Sequence, residues 1–115
     1  MTMTKVLSVV PVTDLATSTA WYERLLGCPP DARPMASLAD WHLTDTAWVQ
    51  VFQDPRRAGH TALNFAVREL RAHAAELAGR GITLGEISEN GNGATLASVT
   101  DPDGNVITFI ENPTT

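Results

Sequence analysis

Pro11-Val12-Thr13-Asp14-Leu15 opens a helix-like run that stops at Leu26-Gly27. Ala66-Val67-Arg68-Glu69-Leu70 opens a second, which stops at Gly79-Arg80-Gly81. A β-rich run precedes each, and short strand candidates follow. Each half closes on a similar hairpin, Asp45-Thr46-Ala47-Trp48-Val49-Gln50-Val51-Phe52 in the first and Gly104-Asn105-Val106-Ile107-Thr108-Phe109-Ile110 in the second. One plan, βαβββ, is therefore written twice. A unit too small to cover its own sheet must pack against its copy, and the seam between copies is a natural place for a concave site.

Working outward, residues 6–12 are almost continuous Val and Leu and read as a strand. Asp14 is a helix N-cap, Leu15, Ser18, Tyr22, Leu25 and Leu26 share one helical face, and Gly27 is the stop. Pro29, Pro30 and Pro34 impose a loop, followed by strands at 35–38, 41–44 and 48–52. Asp54-Pro55-Arg56-Arg57-Ala58-Gly59 has turn chemistry and no apolar periodicity, so it links the copies. Residues 60–67 form the next strand, and Leu70, Ala74 and Leu77 give the second helix its seam. Strands at 82–87 and 94–100 flank the turn Glu89-Asn90-Gly91-Asn92-Gly93, and Asp101-Pro102-Asp103-Gly104 turns into the last strand, 106–111. The expected organisation is one α+β domain, with module one at 1–56 and module two at 57–115.

Size and composition narrow the function. With 115 residues, 43% apolar and 18% charged, the chain suits one globular core. A net charge of −5 argues against nucleic acid or an anionic membrane as partner, since both reward clustered Lys and Arg. The apolar stretch near the N-terminus is too short for a signal peptide, and no run reaches membrane-spanning length. A lone cysteine, Cys28, allows no intrachain disulfide and reads as a buried, inert thiol. The expected location is the cytoplasm.

The Val-x-Asp-Leu helix opening with Trp21-Tyr22-Glu23-Arg24-Leu25-Leu26-Gly27, together with Asp101-Pro102-Asp103-Gly104-Asn105, resembles the vicinal oxygen chelate superfamily of glyoxalases, bleomycin-resistance proteins and extradiol dioxygenases. The resemblance spans essentially the whole chain. It implies two βαβββ modules forming a curled mixed sheet around a cleft, and commonly a homodimer whose modules pair within or between chains. Enzymes of the superfamily hold a divalent metal through the first and last strand of each module. Counting back seven residues from Asp14 and Glu69 puts the first-strand positions at Leu7 and Ala62; the last-strand positions are Gln50 and Thr108. Leu7 and Ala62 carry no donor atom, and an amide with a hydroxyl is too weak a set for a divalent ion. No metal and no cofactor are expected.

Alternation along a strand extends these positions to a lining: Leu7 and Val9, Trp48, Gln50 and Phe52, His60, Ala62 and Asn64, Val106, Thr108 and Ile110. Such a surface suits an apolar or aromatic organic molecule oriented by a few hydrogen bonds. Trp48 and Phe52 have a second reading, as core between sheet and helix; Trp21 and Trp41 lean toward structure. His73 reads as solvent-facing, as does Glu111. Asp14, Glu69, Asp101 and Asp103 read as caps and turn residues. Neither His60 nor His42 has a carboxylate at a dyad-like spacing.

The leading expectation is therefore metal-independent binding of a small molecule, in the manner of bleomycin resistance. The alternatives are a glyoxalase-like lyase or isomerase or a dioxygenase, a metal-free acid–base enzyme using His60, His42 or Tyr22, and a scaffold whose cleft is plugged by its own aromatics.

Overall fold

The computed structural model describes residues 1–112. In chain order the elements are β1 (Val6–Val12), α1 (Leu15–Leu26), β2 (Ala32–Met35), β3 (Leu38–His42), β4 (Ala47–Gln53), β5 (Ala62–Ala66), α2 (Leu70–Gly79), β6 (Ser88–Glu89), β7 (Thr95–Thr100) and β8 (Val106–Glu111). The βαβββ plan is present in both halves. The strands form two four-stranded mixed sheets, ordered β1-β4-β3-β2 and β5-β8-β7-β6. In each the first strand of the module pairs in parallel with the last, and the remaining pairings are antiparallel. No helix of the described residues is long and apolar enough to cross a membrane.

Local chemistry fixes the helix ends. Asp14 caps α1, its Oδ2 accepting from Thr17 N at 3.0 Å and from the Thr17 hydroxyl at 2.6 Å. That hydroxyl, then the backbone N–H, lowers the Asp14 pKa. Gly27 ends α1 in the left-handed conformation at φ 79° and donates to Glu23 O, a geometry that only glycine adopts without strain. Arg80, just past α2, donates to Arg24 O and Leu25 O and so supplies the last carbonyls of α1.

One core draws on both halves: Val10, Val12, Tyr22, Leu25, Val49 and Val51 from module one, and Leu70, Leu77, Ile82, Ile107 and Phe109 from module two. Burying each such side chain contributes about 1.5–3 kcal/mol. The seam is closed by hydrogen bonds. Tyr22 OH donates to Asp101 Oδ2 at 2.8 Å, and Thr13 N donates to Asp103 Oδ2 at 3.1 Å. Fully buried Asn105 donates through Nδ2 to Pro11 O and Asp101 Oδ2, and its Oδ1 accepts from Thr61 N. The Asp101–Gly104 turn is thus both a hairpin and the joint between modules.

Several expectations need correction. The strands placed at 35–38 and 41–44 lie earlier, because Ala36-Ser37 is the hairpin turn between β2 and β3. Pro34 is accommodated in β2 because that strand is at a sheet edge, where a missing N–H costs no ladder bond. Residues 82–87 are not a strand: Ile82 turns into the core, and Gly85 N makes one bond to Ser98 O. Residues 60 and 61 precede β5 rather than opening it. Cys28 is exposed, since α1 ends just before it and its carbonyl is held by Trp41 Nε1 at 2.9 Å. Glu69 caps α2 by position only; the side chain that accepts from Leu70 N is Glu111, at 2.6 Å. Glu111 is accordingly half-buried rather than solvated. His73 also turns inward, packing on Phe109 with ring centroids 4.6 Å apart.

Candidate functional site

Strand β4 sorts its side chains cleanly. Val49 and Val51 are buried against the core, whereas Trp48, Gln50 and Phe52 lie half-buried on the opposite face. Trp48 and Phe52 are therefore not packing between sheet and helix. Reading from β1 across β4 to β3, Leu7, Trp48 and His42 form one row. Val9, Gln50 and Asp40 form the next, and Pro11, Phe52 and Leu38 the third. Module two has matching rows from β5 across β8 to β7: Ala62, Val106 and Thr100; Asn64, Thr108 and Ser98; Ala66, Ile110 and Leu96.

These faces are open and largely apolar. Leu7 is 47% exposed, Val9 46% and Val106 39%. Ala62 and Asn64 are exposed, while Thr108 and Ile110 are half-buried. The expected lining residues thus fall on two faces, one per module. No hydrogen bond or ring contact among the described residues joins the two sets. His60 stands apart: it is exposed and precedes β5, so strand alternation does not place it on either face. A surface hollow lined by Val67, Glu69, Ala72, His73 and Glu76 lies at the start of α2, away from these rows.

The middle row carries the polar chemistry. Gln50 Nε2 donates to Asp40 Oδ1 at 3.1 Å in module one. In module two the same places are taken by Thr108 and Ser98, whose hydroxyls lie 2.6 Å apart. At the four positions expected from the resemblance, Leu7 and Ala62 offer no donor, and the side chains of Gln50 and Thr108 are already engaged. Among the described residues no group of three or more His, Cys, Asp or Glu side chains is arranged to hold an ion. The donor set does not fit a divalent metal, which requires several imidazole, thiolate or carboxylate ligands.

Two features escaped the sequence reading. Asp40 is a carboxylate only 3% exposed, on the same face as Gln50. It lies two residues before His42, and its Oδ2 is 4.0 Å from His42 Nε2. Residues two apart on one strand share a face, so Asp40 is a carboxylate neighbour of His42 that the sequence reading did not name, although 4.0 Å is longer than a hydrogen bond. The second feature is the environment of Trp48. The His42 ring stacks on it at 3.5 Å between centroids and 15° between planes, and Lys5 Nζ sits 3.7 Å from the ring centre. Groups this close to one ring exclude each other from the same face, so lysine and imidazole cover opposite faces of the indole.

Tyr22 is unsuited to proton transfer with a ligand. It is fully buried on the core side, and burial first, then the charge of Asp101, raises its pKa far above the ordinary phenol value.

Comparison with known proteins places this geometry. Residues 7–110 match the family described as a glyoxalase-like domain. A glyoxalase/bleomycin resistance protein from Catenulispora acidiphila DSM 44928 is 30% identical; the match covers 95% of this chain and 98% of that one, with a TM-score of 0.88. A bleomycin-binding protein solved in complex with bleomycin is 22% identical, over 94% of this chain and 98% of its own, with a TM-score of 0.77. TnmS3, an antibiotic binding protein from Streptomyces sp. CB03234, is also 22% identical, over 96% and 98%, with a TM-score of 0.75. A search of the curated proteins found no match.

Proposed function

The chain belongs to the glyoxalase-like domain family, and from that membership we infer that it binds a small, largely apolar or aromatic organic molecule without a metal ion. The observation that carries this reading is the pair of open sheet faces. They present Leu7, Val9, Trp48, Phe52, Val106 and Ile110 around the neutral polar groups Gln50, Asn64 and Thr108, with no donor atom at Leu7 or Ala62. Apolar area binds, and a few fixed polar groups orient. Structural neighbours described as bleomycin-binding and antibiotic-binding lend support, since the same fold binds a small molecule in them. A homodimer is part of the proposal. Each module leaves its ligand-facing side open, and a second chain would close it.

The experiment is a thermal-shift screen of planar natural products against untagged protein, with and without EDTA. A ligand at about 100 times its Kd adds about 2.7 kcal/mol of stability, which is a clear rise in Tm. The expected result is such a rise, unchanged by chelation. A rise that appears only with added Zn, Ni, Mn or Fe would overturn metal independence.

A second reading is favoured by one observation, the proximity of Asp40 to His42. At 4.0 Å the two are not hydrogen-bonded, but a bound ligand that drew them together would let the carboxylate hold the ring for proton transfer. Turnover lost in His42→Ala while ligand binding survives would favour this metal-free acid–base enzyme over sequestration.

A further inference from the structure

Resting on the binding function inferred above, we propose that Asp40 reads the charge of the ligand, and that the molecule bound on module one is planar, aromatic and carries a protonated nitrogen. The internal repeat serves as a control. Gln50 and Asp40 of module one occupy the places of Thr108 and Ser98 in module two. Two neutral hydroxyls complete that row at 2.6 Å in module two, so the fold itself does not call for a charge there.

The carboxylate of module one is under-partnered. Its Oδ1 accepts from Gln50 Nε2, but Oδ2 has His42 Nε2 at 4.0 Å, beyond hydrogen-bond reach. An ionised carboxylate offers about four acceptor sites, and Oδ2 is not sealed from solvent, so a ligand can reach it. A protonated nitrogen delivered by a ligand supplies the missing partner.

The groups now resting on Trp48 show what it accepts. One is an ammonium, the other a flat nitrogen heterocycle. Both are stand-ins: a cationic aromatic ligand that displaces His42 would lay its ring on the indole and bring its charge to Asp40 Oδ2. Cation–π attraction and stacking act in the same direction there. The net charge of −5 raises the local concentration of such a ligand and lowers that of an anion.

The test uses three naphthalenes of equal shape and different charge, naphthylmethylammonium, naphthylmethanol and naphthoate, titrated calorimetrically into the full chain. The ammonium should bind at least about tenfold tighter than the alcohol, a difference of about 1.4 kcal/mol, with naphthoate weakest. Asp40→Asn should bring ammonium and alcohol level. His42→Ala should tighten the ammonium by removing its competitor. Should Asp40→Asn fail to fold, the double variant Asp40→Ser with Gln50→Thr imports the neutral row of module two and should level the two probes in the same way. Equal binding of ammonium and alcohol to the wild type, lost in Trp48→Ala, overturns the charge reading and leaves the binding function standing. An ammonium preference that survives in a folded Asp40 variant also overturns it. No binding of any probe overturns both proposals.

Discussion

Val49 and Val51 face the core while Trp48, Gln50 and Phe52 face away, and that division was legible because strand alternation is a local rule. Asp40 and its bond to Gln50 were not legible, since cross-strand neighbours depend on register, and β3 begins earlier than the strand expected at 41–44, which left Asp40 outside it. Asn105 and Asp101 were half read: the turn was visible, but its role as a joint arises only once module two meets Pro11 and Tyr22. Tyr22→Phe removes one of four donors to the buried Asp101 carboxylate and should cost about 1.5–3 kcal/mol, the range for a hydrogen bond to a charged group. Urea denaturation measures it. Asn105→Ala breaks bonds to Pro11, Thr61 and Asp101 together and should cost more. His73 carries the pH dependence. Its Nε2 is buried without a partner, and burial, outweighing the attraction of Glu76, lowers its pKa. The unfolded chain therefore takes up the proton first. Stability is full above the unfolded value of about 6.5 and is lost as pH falls through the lower folded value. Urea midpoints should drop from neutral to mildly acidic pH, and less so in His73→Leu.

Both helices begin on a side chain from the end of their own module's last strand. Leu15 N donates to Gln53 Oε1 at 2.9 Å, and Leu70 N donates to Glu111 Oε1 at 2.6 Å. The duplication thus extends to capping, a match invisible in the sequence because the partners lie about forty residues apart. Asp14 adds its own cap to α1, whereas Glu69 adds none to α2. Glu111→Ala should accordingly destabilise by about 0.5–2 kcal/mol, and Glu111→Gln should restore most of that loss in thermal melts. The linker holds a second constraint. Gly59 has φ 88°, and a Cβ there would collide with Asp103 O. The sequence marked Gly59 as turn chemistry; only the packing shows that it lets the linker touch the Asp101–Gly104 turn. Gly59→Ala should lower the melting temperature more than Gly91→Ala, where the added Cβ meets nothing. The strand expected at 82–87 failed for a related reason, since apolar residues near glycines can anchor a loop as well as a strand.

The duplicated plan, the α+β class and the family were all readable from paired motifs, but the division of the sheet into two halves was not. That division leaves β1 and β5 as edge strands with exposed apolar side chains beside them. The chain exposes 6969 Å². A compact monomer of 12.4 kDa would expose about 6100 Å². The excess is comparable to the roughly 800 Å² that each partner buries in a standard interface, and exposed Leu7, Val9 and Val106 lie on the open faces. Apolar surface of this kind is ordinarily covered in solution. The proposed homodimer covers it, and the consequence is a test that separates face from bulk. Val9→Lys and Val106→Lys place a charge on the two open faces, where a second chain must desolvate it. Ala75→Lys places the same charge on the exposed side of α2. In sedimentation velocity at micromolar concentration the wild type and Ala75→Lys should run as dimers. The two face variants should run as monomers with unchanged circular dichroism. A wild type that sediments as a monomer, or face variants that remain dimeric, would remove the partner chain and leave each module to bind its ligand alone.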